Sequence, residues 1–331
     1  MGTDTVVRTK TNPITAVADG LLDKLVIPGY SSIGPWLRKN WWPADSGPFT
    51  GQTDIVVTGG SSGIGAATAT GLAALGATVH LVGRKADTLQ VSASKIRLQQ
   101  PDAELVVHQA DISDLDDVRR LTEKLTTELG SLHGLVHCAG VMPPERKDTP
   151  QGHEMAFATH VLGPLLLTIG LRPLMQADGD ARVVFVSSGG MYTAGLETDL
   201  EYTEGEYKGV RAYARTKRMQ VVLTEQLAEA FSAPDDPVVH SMHPGWVATP
   251  GVSDSIPGFE KVAKPILRSP ALGADTIVWL SSSPEAAQRS GRFWCDRRPR
   301  PTHYLPWQHD DPAARRHLWE TCLAATGETV G

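Results

Sequence analysis

The chain has 331 residues, 41% of them hydrophobic, and a formal net charge of −6. That length and apolar content suit one large core or two ordinary ones, and they exclude a disordered chain. Basic residues are scattered rather than striped, so nothing asks for a nucleic-acid partner.

Residues 1–53 read as an N-terminal extension, not a second domain, with Pro13, Pro28, Pro35, Pro43 and Pro48 and room for a short helix near residues 14–25. Its oddest part, residues 30–42, mixes Tyr30, Trp36, Trp41 and Trp42 with Arg38 and Lys39 and no acid. Aromatics beside cations suit a membrane interface or a partner surface. The reading preferred here is that the segment wraps the main domain and buries its tryptophans there, since no long amphipathic helix is evident.

The first strand is expected at Ile55 to Val57, followed by a turn carrying Gly59, Gly60, Gly63 and Gly65 and a helix from Ala66 to Leu75. A turn this tight needs positive φ and close backbone approach, and the helix behind it aims unpaired N–H groups at a phosphate. The order Thr58-Gly59, three residues, Gly63, one residue, Gly65 resembles the TGxxxGxG motif of the short-chain dehydrogenase/reductase family. The turn residues Gly59, Ser61, Ser62, Gly63, Ile64 and Gly65 thus form the expected pyrophosphate cradle.

A second strand, Thr78 to Val82, ends at Gly83, Arg84 and Lys85 with no carboxylate at its tip. An acid there would hold a ribose 2′-OH, whereas an arginine fork pairs with a 2′-phosphate. Arg84 therefore predicts NADP(H) rather than NAD(H). A third strand, Glu104 to Gln109, leads to Asp111 and Ile112, which the resemblance sets beside the adenine. The fourth, Gly134 to His137, runs into Cys138, Ala139 and Gly140, where the family usually has Asn-Asn-Ala-Gly; Ala139 and Gly140 keep the pattern. Strands alternating with helices over 85–99 and 115–129 predict parallel βαβ units in a doubly wound, Rossmann-type sheet of seven strands.

A long helix is expected over 154–171, and the resemblance places His160 at the family's catalytic asparagine, whose task is to order a water beside the active lysine. The substitution works if the backbone carbonyl does that task and puts proton relay in doubt if the side chain does. A fifth strand, Arg182 to Val186, ends at Ser187 and Ser188, at the cleft. Twenty-five residues beyond Ser188, Tyr213 and Lys217 stand at i and i+4 on one helical face. A phenol is a proton donor poorly matched to neutral pH, and a nearby ammonium favours its phenolate. The resemblance makes Tyr213 the general acid/base, Lys217 the residue that binds the nicotinamide ribose and tunes it, and Ser188 the partner of the substrate carbonyl. The long gap implies an insertion over the cleft mouth within residues 190–212, and its acids argue for a solvated loop.

A sixth strand, Val238 to Met242, leads to Pro244, Gly245, Val247 and Thr249. The resemblance has Val247 hold the carboxamide through its backbone and Thr249 reach the phosphates. A lid over about 250–270 is rich in apolar residues and predicts a lipophilic substrate. Gly291 to Asp296 is the expected seventh strand, and Arg297, Arg298, Arg300 and His303 are assigned to a surface turn. The domain thus spans 54–310, with a C-terminal helix and tail over 311–331. The three cysteines Cys138, Cys295 and Cys322 lack metal-ligand spacing and suit a reducing cytosol. No apolar run is expected to reach the roughly 18 residues of a membrane span. Together these features predict a cytoplasmic oxidoreductase interconverting a carbonyl and an alcohol, with a homo-oligomer common in the family. The rival reading is a nucleotide sensor that has lost turnover, made credible by His137, Cys138 and His160.

Overall fold

The computed structural model describes residues 25–248, 264–305 and 307–330, together with residues 15, 19, 20 and 22. Two short helices, α1 (Val26–Tyr30) and α2 (Ile33–Arg38), precede the sheet. The strands are β1 (Asp54–Thr58), β2 (Thr78–Gly83), β3 (Leu105–Gln109), β4 (Gly134–His137), β5 (Arg182–Val186), β6 (Val238–Met242), β7 (Arg292–Cys295) and β8 (Arg298–Pro299). They form one sheet in the order β3-β2-β1-β4-β5-β6-β7-β8. All pairings are parallel except β7 with β8. The sheet therefore has eight strands rather than seven: a two-residue antiparallel strand too short to carry any periodicity closes its edge.

The long helices are α3 (Gly63–Ala74), α4 (Ala86–Gln99), α5 (Leu115–Glu128), α6 (Met155–Asp178), α7 (Gly209–Ala230), α8 (Pro270–Ser282) and α9 (Pro312–Thr326). β1, β4 and β5 are buried along their whole length, as continuous apolar runs of central parallel strands require. On one face Leu72, Leu89, Ile96, Ile277 and Trp279 of α3, α4 and α8 cover the sheet. On the other, Leu121, Leu165, Leu167, Val222 and Leu223 of α5, α6 and α7 do so, with Leu318 and Cys322 of α9 laid over them. Contrary to expectation, α6 is long and apolar enough to cross a membrane, with a mean hydropathy of 1.4 over 18 residues. Its apolar surface is spent inside this core, since 83% of that window is buried.

The strand order reverses between β1 and β4, so a crevice opens there outside the carboxyl ends of the strands. The Thr58 hydroxyl fixes its shape, accepting from the backbone N–H groups of Cys138 (3.1 Å) and Ala139 (3.2 Å).

The N-terminal segment is joined to this crevice through the interior. Tyr30 is buried and the Arg38 side chain is fully covered, while Trp41 and Trp42 are half-buried and Trp36 is 72% exposed. The expected burial of the tryptophans is thus only partial; the residues that go inside are Tyr30 and a cation. The assignment of Arg297 and Arg300 to a surface turn is also corrected, because both are buried. Arg297 is held by Asp275 (2.8 and 2.7 Å), whereas Arg300 belongs to an ionic cluster in which Asp296 receives the Arg268 guanidinium through both oxygens (2.6 and 3.0 Å) and Arg38 (2.5 Å). Asp19 in turn receives Arg38 and Arg300, at 2.7 Å each. Asp296 and Arg297 form the two-residue turn between β7 and β8, both with positive φ (52° and 54°). Such a hairpin usually takes Asn-Gly, so the ion pairs hold a backbone that a non-glycine residue adopts at a cost.

Candidate active site

The glycine turn between β1 and α3 is as tight as its sequence predicts. Gly59 has φ +71°, and a Cβ there would stand 2.9 Å from the backbone of Ala139. A Cβ on Gly65 would lie 2.3 Å from the Gly59 carbonyl, so the helix can begin this close to the strand only without side chains. The result is a helix N-terminus whose free N–H groups face the crevice, which suits a phosphate.

A cavity of about 650 Å³ extends from this turn across the ends of β1, β4, β5 and β6. Its phosphate end is lined by Gly59, Ser61, Ser62, Gly63, Ile64 and Gly65, and its far edge by Arg84, Asp111 and Ile112. Ala139 and Gly140 form the floor; Ser188, Tyr213 and Lys217 stand on one wall, and Pro244, Gly245 and Val247 close the end. Arg84 is exposed and has no carboxylate partner among the described residues, so its guanidinium is free for an anion. Asp111 is anchored by Ser113, whose N–H and hydroxyl it accepts at 2.9 and 2.7 Å. Thr249 and most of the expected lid over 250–270 lie outside the described residues. Another groove, of about 830 Å³, runs between α3, α4 and α8; it contains none of Ser188, Tyr213 and Lys217.

Tyr213 and Lys217 lie one turn apart on α7, with the ammonium 5.4 Å from the phenol ring centre. Lys217 Nζ donates to the Val186 carbonyl (2.9 Å) and to Gln220 Oε1 (3.0 Å). Burial lowers the Lys217 pKa to about 7, against a smaller opposing influence of Cys138. Burial raises that of Tyr213, and a hydrogen bond with Ser188 works in the other direction. Desolvation is the larger of these two influences on Tyr213. Ser188, just past β5, is also fixed by the Gly190 N–H, which it accepts at 3.1 Å.

His160 does not line the cavity, although it sits directly behind it. It lies on a π-helical turn of α6, Ala158–Leu162, a distortion often found at functional sites. Its Nε2 accepts the Val141 N–H (3.0 Å), and its Nδ1 is 2.8 Å from the Thr216 hydroxyl, which donates to the Tyr213 carbonyl (3.0 Å). Those partners require the neutral tautomer with the proton on Nδ1. Burial first, then the Lys217 charge, lowers its pKa well below the ordinary value. Both nitrogens are spent on holding the chain, and the ring meets Tyr213 edge-on at 5.5 Å.

Residues that the sequence reading missed include Met142, Met155, Val210 and Trp246, which add apolar surface to the cavity lining. Met155 and Thr159 share one face of α6 at i and i+4, a spacing that could have marked them. The expected insertion does reach the cleft, through Thr193 and Val210. It is not wholly solvated: Leu200 and Tyr202 are buried, and the Arg215 guanidinium covers the Tyr202 ring at 4.6 Å.

The extension braces the same site. The Trp246 N–H donates to the Tyr30 carbonyl (2.8 Å), and Arg268 spans the Trp246 carbonyl (2.7 Å) and the Ala248 N–H (2.9 Å) with its own backbone. The Tyr30 ring lies so close to Gly189, beside Ser188, that a Cβ there would be 2.3 Å away.

A sequence model described as short chain dehydrogenase matches residues 53–257. Dehydrogenase/reductase SDR family member 12 of Homo sapiens is 42% identical over 271 residues, covering 80% of this chain and 84% of that protein. Retinol dehydrogenase 14 of Homo sapiens is 30% identical over 315 residues, 89% of this chain and 92% of its own length. Among solved structures, a putative NAD(P)-dependent gluconate 5-dehydrogenase from Beutenbergia cavernae with bound NADP is 25% identical. It has a TM-score of 0.60, with 75% of this chain and 96% of that one covered. The glycine cradle, a strand-end serine, the Tyr-Lys pair on α7 and these likenesses converge: the chain belongs to the short-chain dehydrogenase/reductase family of nicotinamide-dependent oxidoreductases, in the subgroup of SDR family member 12.

Proposed function

We propose that the protein is an NADP(H)-dependent reductase that converts a neutral, lipophilic aldehyde or ketone to its alcohol. The observation that carries this reading is the convergence of Ser188, Tyr213 and Lys217 on a cavity that Met142, Met155, Val210 and Trp246 also line. The bound dinucleotide supplies the hydride. Ser188 donates its hydroxyl proton in a hydrogen bond to the substrate carbonyl oxygen and aims it at Tyr213. Tyr213, kept protonated by burial, delivers its phenolic proton to that oxygen as negative charge develops there. The phenolate left behind is stabilised by Lys217, whose ammonium stands one helical turn away.

Arg84 selects the cofactor by pairing with the 2′-phosphate of NADP(H), and Gly59 to Gly65 hold the pyrophosphate. Asp111 and Ile112 border the adenine, and Ala139, Gly140, Pro244, Gly245 and Val247 enclose the nicotinamide half. His160 contributes position rather than proton transfer, because both its nitrogens are engaged. The relative named for retinol, a lipophilic alcohol, agrees with an apolar substrate.

The test is a panel of long-chain aldehydes, aromatic ketones, steroids, quinones and a retinoid aldehyde, each followed by NADPH absorbance. Turnover of an apolar carbonyl is expected; turnover confined to small charged carbonyls would overturn the substrate assignment.

A further inference from the structure

Gln220 stands one turn beyond Lys217 on α7 and is fully buried. Its side-chain amide makes two hydrogen bonds that point in opposite directions: Oε1 accepts from Lys217 Nζ at 3.0 Å, and Nε2 donates to the His160 backbone carbonyl at 2.9 Å. The orientation of this amide is fixed by its partners, since an ammonium can only donate and a carbonyl can only accept. The amide therefore spans the distance between the lysine and the π-turn of α6 directly. That is the place where the sequence resemblance sets a water ordered by the residue at 160.

We infer that Gln220 is a positioning residue of the reaction: its amide takes the part of that bridging water and holds the Lys217 ammonium in place for Tyr213. The inference rests on the role proposed for Lys217. An ammonium has three N–H donors. The Val186 carbonyl and Gln220 take two of them, which leaves one for the cavity side, where a ribose hydroxyl or the reacting phenolate is met.

Gln220 also accounts for a histidine at position 160. The contact toward the lysine is made by the backbone carbonyl of that residue, through Gln220, so the side chain is released to brace Val141 and Thr216.

The consequence for protonation follows from which groups face the lysine. Cys138 at the end of β4, His160 on α6, Tyr213 on α7 and the Val186 carbonyl of β5 surround it. The thiol is pushed up to about 12 by burial and the imidazole is neutral, so neither brings a charge at neutral pH. Gln220 and the Val186 carbonyl are thus the acceptors that favour the ammonium against the desolvation that lowers its pKa to about 7. Removing the amide oxygen favours the neutral amine, and Tyr213 then keeps its proton to higher pH.

The test compares wild type with Gln220→Met, which preserves side-chain length and removes both hydrogen bonds, and with Gln220→Ala in case the first does not fold. Two measurements are made. One is the pH dependence of kcat/KM for alcohol oxidation. The other is the phenolate absorbance titration of the NADP-bound protein, with Tyr213→Phe subtracted so that only Tyr213 is read. The expected result is an upward shift of about one pH unit in both midpoints, a tenfold loss of oxidation on the acidic side. Thermal stability and NADPH affinity report separately on folding and on the cofactor site. Wild-type turnover with both midpoints unmoved in a folded variant would overturn the role of Gln220. Failure of wild type to turn over any substrate, with the Tyr213 midpoint still shifted, would overturn the reductase reading and leave the Gln220 contact standing.

Discussion

Asp296 is the hinge of the ionic cluster that ties the N-terminal segment to the cofactor end of the cavity, and its replacement gives a large effect far from Tyr213. Asp296→Asn keeps a side chain of the same shape that tolerates the positive φ of 52°. It removes the charge facing Arg38 and Arg268, whose side chains are 0% and 1% exposed. The new amide NH2 also turns a donor toward guanidinium groups that only donate. Taking away one partner of a buried ion pair costs about 3–5 kcal/mol, because the remaining charge stays desolvated. For a chain of 331 residues the unfolding entropy is roughly 0.7 kcal/mol/K, so Tm should fall by about 4–7 °C. NADPH affinity should weaken as well, since Arg268 and Tyr30 together hold the backbone of Trp246. Differential scanning calorimetry and NADPH titration read both effects, with Arg120→Ala, which breaks an exposed i,i+3 pair with Asp117, as a control within about 1 °C. A Tm for Asp296→Asn no lower than that of the control would refute the clamp.

Arg84→Asp places a carboxylate where a 2′-phosphate would lie and should reverse the preference from NADPH toward NADH; an unchanged ratio of the two dissociation constants would sink the cofactor assignment. Acid should destabilise the fold well before its carboxylates titrate. Burial lowers His108 and His240 to about 4 and His137 and His243 to about 3. Unfolded, each imidazole takes up a proton below about pH 6.5, so their stabilisation is whole above that pH and drains away as pH falls toward 4. At pH 5.5 the loss is about 1.4 kcal/mol per histidine, roughly 6 kcal/mol for the four. Urea midpoints at pH 7.5 and 5.5 measure it, and equal midpoints would contradict the neutral, buried state of these rings.

Much of this architecture is written in local pattern. The short apolar runs at 55–57, 78–82, 134–137, 182–186 and 238–242 mark central strands because a parallel sheet buries both of its faces. The glycines at 59 and 65 mark the cradle because close backbone approach leaves no other residue type. Tertiary chemistry was not legible in this way. Arg297 and Arg300 read as surface residues because their carboxylate partners, Asp275 and Asp19, lie 22 and 281 positions away. The protonation of Tyr213 depends on burial contributed by several elements, which the i, i+4 spacing of Tyr213 and Lys217 does not contain. Gln220, by contrast, stands at i+3 from Lys217 and could have been noticed on the same helical face.

The most direct test of the account is the rate of NADPH oxidation by wild type and Tyr213→Phe with the best apolar carbonyl substrate. Loss of the phenolic proton donor should lower kcat by about 10²–10⁴-fold while NADPH affinity is retained. Equal rates in the two proteins would contradict the role of Tyr213, and tight NADPH binding without turnover in wild type would favour a nucleotide sensor over a reductase.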